Sequence, residues 1–128
     1  MPTAQPRITS NLTQTTPTYT SGVEVLSGAT LQVSLSDPAQ VVHLQGLIIV
    51  TGAAGTTSCI PRIRRTGLTG TQVGGAPTIS MTASATCVIV NMADDNPGDV
   101  ASLVYVLTGL CAGANGTGVL AYLSAIVE

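Results

Sequence analysis

From residue 23 onward the chain carries no amphipathic 3.6-residue period, and that confines it to β-structure. Its apolar residues recur two apart or in short runs. Thr, Val, Gly and Ser, all poor helix formers, fill much of the rest. Leu31, Val33 and Leu35 alternate with Gln32, Ser34 and Ser36, the signature of a half-buried strand that Asp37-Pro38 ends. Residues 41–50 read as a long apolar strand with both faces largely covered. Residues 58–65 read as a strand pushed towards an edge by Pro61, which has no N–H to give a ladder. A glycine-rich loop over 67–77 holds a short strand at 71–73. Further strands are expected over 78–82, 85–92, 100–111 and 119–127, the last two joined by the hairpin signal Asn115-Gly116. About eight strands in this span predict an all-β antiparallel sandwich or jelly roll.

Residues 1–22 differ. They are rich in Thr, Pro, Ser and Gln, with little apolar content beyond Ile8, Leu12 and Tyr19. Proline and β-branched threonine favour extended chain over helix. The expected organisation is an extended N-terminal arm over 1–22 that contacts another chain, followed by a jelly-roll domain over 23–128. The first residues lack the apolar core of a signal peptide. No apolar run approaches the ~18 residues of a membrane helix.

Composition narrows the function classes. Only 8 % of residues are charged and there is no Lys. Four Arg cannot supply the counterion-replacing footprint of a nucleic-acid binder. Such a bland surface suggests one partly covered by neighbours. Cys59, Cys87 and Cys111 are too widely spaced for a disulfide framework or a zinc site, and read as buried, reduced core residues.

Candidate chemistry is sparse. Val50-Thr-Gly-Ala-Ala-Gly55 looks like a dinucleotide-binding glycine loop, but it runs into Thr56-Thr-Ser-Cys-Ile-Pro61 rather than a helix, so it reads as a turn. His43, the single His, has no nucleophile tied to it in sequence. Asp94, Asp95 and Asp99 cluster around Pro97-Gly98 and read as a solvated turn. Clustered carboxylates of this kind also suit Ca²⁺, but the spacing is not that of an EF-hand. Glu24 looks isolated. Arg62, Arg64 and Arg65 form the one basic cluster: Arg62 and Arg64 share a strand face and Arg65 points the other way. That cluster is either a solvated face or an intersubunit contact. Aromatic platforms for carbohydrate are lacking, with only Tyr19, Tyr105 and Tyr122. No catalytic, cofactor or metal residues are assigned, and the expected partners exclude nucleic acid and membrane.

Residues 41–128 resemble small jelly-roll virion proteins of tailed bacteriophages, including trimeric capsid decoration (cement) proteins. The resemblance rests on Val42-His-Leu-Gln-Gly-Leu-Ile48, Gly55-Thr-Thr-Ser58, Ile60-Pro-Arg-Ile-Arg-Arg65, Asp95-Asn-Pro-Gly98, Ser102-Leu-Val-Tyr-Val-Leu-Thr108 and Ala114-Asn-Gly-Thr117. It implies a non-enzymatic protein, made in the host cytoplasm, that binds a major capsid protein or other virion neighbours on the outside of a phage head. A tail or fibre component recognising a host surface is the alternative, and a small metal-dependent enzyme a more distant one. Self-association, as a trimer, is expected through apolar strand faces, with Arg62, Arg64, Arg65, Tyr105, Tyr122 and Leu123 as interface candidates. In the closing strand, Val119, Ala121, Leu123, Ala125 and Val127 share one face and Leu120, Tyr122, Ser124 and Ile126 the other. The alternation alone leaves open which face meets the core.

Overall fold

A computed structural model describes residues 7–35, 39–74, 77–81, 85–94 and 103–128. They form ten strands and contain no helix. In chain order these are β1 (Arg7–Thr13), β2 (Thr18–Tyr19), β3 (Glu24–Val33), β4 (Val42–Gly52), β5 (Ser58–Arg65), β6 (Gln72–Val73), β7 (Ile79–Ser80), β8 (Ala85–Asp94), β9 (Leu103–Ala112) and β10 (Gly116–Val127). Two antiparallel sheets result. The first runs β1-β10-β4-β8, with β2 also on β10; the second runs β3-β9-β5-β6, with β7 also on β5. The long strands β3, β4, β5, β8, β9 and β10 change sheet at nearly every step, as in a jelly roll.

The alternation read from sequence becomes the core. Ala29, Leu31 and Val33 of β3, Val42, Leu44, Ile48 and Val50 of β4, and Val88 and Val90 of β8 point between the sheets. In β10 the inner set is Ala121, Leu123, Ala125 and Val127. A register shift between Gly118 and Leu120 takes Val119 out of that set and leaves it exposed. Strand β4 is covered on one face only: His43 and Gln45 on its other face are exposed, and Leu47 and Ile49 half-buried. The strand expected over 78–82 is the two-residue β7. Residues 95–102, with Asp95 and Asp99, lie outside the described residues.

The N-terminal segment departs from the expectation. Arg7 to Thr13 pair with Val127 to Ala121 of the same chain, and Tyr19 is fully buried in the core. The described part of 1–22 is therefore extended but seated on its own sandwich rather than on another chain. The cause is hydrogen-bond satisfaction: without β1, one side of β10 would present an open ladder. The Tyr19 ring lies between the sheets where two glycines leave room. A Cβ at Gly109 would stand 2.9 Å from Tyr19 Cε1, and one at Gly118 would stand 3.1 Å from Tyr19 Cε2.

Cys59 and Cys111 are buried as expected, but Cys87 is exposed. It sits on the outward side of β8, opposite Ile49, where alternation carries it away from the core.

Candidate functional site: the outer face of the first sheet

Among the described residues, the charged side chains other than His43 and Glu128 gather away from one broad face. On the outside of the second sheet, Glu24 of β3 reaches over β9 to both arginines of β5. Arg62 Nη1 donates to Glu24 Oε1 at 2.7 Å, Arg64 Nη2 to the same oxygen at 2.8 Å, and Thr108 Oγ1 to Oε2 at 2.9 Å. Arg64 Nη1 also donates to the Gly70 carbonyl at 2.9 Å. The Arg64 hydrogen bond, seconded by Arg62 and Thr108, holds the Glu24 carboxyl down at about 2.

Arg65 points inward, as the alternation required, and crosses to the other sheet. Its Nε donates to Asp94 Oδ2 at 2.9 Å, and its Nη2 to Oδ1. Tyr105 Oη donates to Asp94 Oδ2 at 2.8 Å. Burial, with that hydrogen bond, pushes the Tyr105 phenol up. Asp94 thus ends β8 as a buried cross-link between the sheets and is not part of a solvated turn. Glu24 is not isolated either. Both were hidden in the sequence because their arginine partners lie 29 to 40 residues away and only the register brings them together.

These contacts revise the interface candidates. Arg62, Arg64 and Arg65 are all engaged in ion pairs within the chain. Tyr105 and Leu123 are fully buried in the sandwich and cannot reach a neighbouring subunit. Of the six, only Tyr122 is on the outer face of the first sheet, half-buried.

That face is the outer side of β1-β10-β4-β8. The registers set its side chains in rows across the strands. One row holds Ile8, Ile126, His43 and Ala93; the next Ser10, Ser124, Gln45 and Asn91; the next Leu12, Tyr122, Leu47 and Ile89; the last Leu120, Ile49 and Cys87. None of these is Arg, Asp or Glu. His43 is the one basic side chain, at the rim, with Nε2 3.2 Å from the Glu128 carboxylate. Ile8 is 74 % exposed, Leu12 58 % and Ile89 43 %.

Strand β1 makes the point most sharply. It turns Ile8 and Leu12 to the outside and Asn11 and Thr13 inward, the reverse of a strand serving only its own core. Exposed apolar rows of this kind, on either side of the Ser10, Ser124, Gln45 and Asn91 row, mark an interaction surface. Between its first two rows lies a shallow depression of about 470 Å³, lined by His43, Gln45, Asn91, Met92, Ser124 and Ile126 among others.

The turn over 52–57 holds itself with Ala53 N to Thr56 Oγ1 at 2.9 Å and leads into a strand, not a helix. Among the described residues, no three His, Cys, Asp or Glu side chains gather as a metal site.

No protein-family model matches the chain, and no curated protein matches it. The fold has solved counterparts. A chain from the Gx strain of infectious bursal disease virus matches over 97 % of this chain at 11 % identity and a TM-score of 0.61. A chain of that virus's subviral particle matches over 96 % at 14 % identity and a TM-score of 0.58. Dimeric latent PorU from Porphyromonas gingivalis matches over 94 % at 7 % identity and a TM-score of 0.56. This chain spans 32 % of each viral chain and 12 % of PorU. At these identities the likeness is one of fold: the chain has a β-sandwich architecture also found in viral particle proteins.

Proposed function

We propose that the chain is a non-enzymatic virion structural protein, a decoration protein that self-associates as a trimer on the outer surface of a phage head, after synthesis in the host cytoplasm. The observation that carries this reading is the outer face of the first sheet, free of Arg, Asp and Glu and mainly apolar in three of its four rows. Strands about 4.8 Å apart, rising about 3.4 Å per residue, give four long strands a face of roughly 550 Å². Gathered about a three-fold axis, three such faces would hide up to about 1,600 Å² in all, within the range of a specific interface. Without like charges, the three copies meet there without repulsion. The fold shared with viral particle proteins and the resemblance to phage decoration proteins support the virion setting. The work done there is mechanical, adding contact area to a shell.

Sedimentation at micromolar concentration tests the self-association. The expected result is a species of three subunits for the unmodified protein and a folded monomer for Ile89→Asp, while Leu123→Asp fails to fold. A lone 12.8 kDa species for the unmodified protein would refute the trimer. Electron microscopy of an intact assembly containing the chain tests the location; density in the tail would refute head decoration. One feature favours the tail or fibre reading: the depression lined by Gln45, Asn91 and Ser124 offers amide and hydroxyl groups to a sugar. Binding of the isolated protein on a glycan array would support that alternative.

A further inference from the structure

Two buried thiols face each other across the second sheet. Cys59 of β5 and Cys111 of β9 are register partners, and both are fully buried. The ladder identifies the kind of pair. Thr66 N donates to Val104 O at 2.8 Å, in register with the β5–β9 pairing, so every second pair from there is hydrogen-bonded and Cys59–Cys111 falls between. Two other features agree. The Cys111 carbonyl accepts from Gly22 N at 2.9 Å, on the side away from β5. Pro61, which has no N–H, sits opposite Gly109 in the same class of pair. In such a pair the Cα atoms stand about 4.5 Å apart, inside the roughly 4.4–6.8 Å that a disulfide spans. Both side chains project into the core. The interaction between the two thiols pushes Cys59 up, with burial adding to it, and lowers Cys111.

We propose that Cys59 and Cys111 are a modification site, a thiol pair that a small-molecule disulfide converts to a cross-strand disulfide fastening β5 to β9. The inference is independent of the assembly reading. With oxidised glutathione, the Cys111 thiolate attacks one sulfur and expels the first glutathione thiolate. Cys59 then gives up its proton, attacks the Cys111 sulfur and expels the second. One S–S bond breaks in the oxidant and one forms in the protein. Two electrons pass to glutathione, and the two thiol protons end on the two glutathione thiolates. Access comes through local opening: beside Cys59, the outer neighbour of β5 is only the two-residue β7. A pair of this kind stays reduced in a reducing cytosol and closes in an oxidising medium.

The test uses the full chain carrying Cys87→Ser, which leaves only this pair. It is refolded from denaturant in oxidised glutathione and analysed by intact mass and peptide mapping. The expected result is the loss of two hydrogens, a Cys59–Cys111 cross-linked peptide, and a thermal midpoint raised by about 10 °C that dithiothreitol reverses. Neither Cys59→Ala nor Cys111→Ala in the same background should show the loss or the shift. Refolded protein in which both thiols still react with maleimide, or which carries only glutathione adducts, would overturn the proposal. Refolding removes burial as an explanation for such a result.

Discussion

Tyr19 packs between Gly109, where a Cβ would stand 2.9 Å from its ring, and Gly118, where a Cβ would meet Pro17 Cδ at 2.7 Å and the ring at 3.1 Å. Its hydroxyl has no hydrogen-bond partner among the described residues, so its contribution is packing. Tyr19→Ala should cost about 3–4 kcal/mol, read as a lower urea midpoint, and Gly118→Val should also destabilise by displacing Pro17 and crowding the ring. Glu24 works through charge. Its folded-state value of about 2 lies below the ordinary 4.5, so its contribution is complete above pH 4.5 and lost as pH falls towards 2. On partial exposure that loss should be about 1–3 kcal/mol, measured as urea midpoints at pH 7 and near pH 2.5. Glu24→Gln should lower stability at pH 7 and flatten that part of the profile.

Three strands were legible in the sequence: β5, β8 and β10 fall close to where the pattern and the turn residues put them, whereas β3 begins at Glu24 and the alternation seen over 31–36 covers only its end. Pro61 is an edge signal in the sequence. In the structure it faces the gap between β7, which pairs at 58–59, and β6, which pairs at 63–64. Strand β1 was not legible as part of the sheet. Its inward positions are Thr9, Asn11 and Thr13 and its outward ones Ile8 and Leu12, so polarity points the wrong way for a core strand. The same inversion is what exposes the proposed assembly face, which no single strand reveals because its rows cross four strands far apart in sequence. Deleting residues 1–22 removes both β1 and Tyr19. The truncated chain should therefore lose its cooperative unfolding transition by circular dichroism, rather than remain a folded domain.

The molecule as a whole is two-sided. One outer sheet face carries Glu24, Arg62 and Arg64 locked in a network, while the other is uncharged across its rows. The two should respond to different variables. Association through the uncharged face should be nearly indifferent to sodium chloride between low and physiological ionic strength, because there is little charge to screen. It should weaken on cooling, because apolar burial does. Sedimentation at two salt concentrations and two temperatures checks both. A strong loss of association with salt would point to the arginine-bearing face instead.

The pairing of Arg7 with Val127 has a consequence for how the fold is reached. Strand β10 follows every other strand in chain order, yet it lies between β1 and β4. During synthesis β1 emerges early and has no ladder partner until β10 is made, and one edge of β4 stays open for as long. Most of the core side chains are available before the sheet that unites them can close. Folding is therefore governed by a late insertion between distant segments, which makes it slow relative to a fold built on local contacts. It also leaves apolar β-edges exposed to neighbouring nascent chains in the interval.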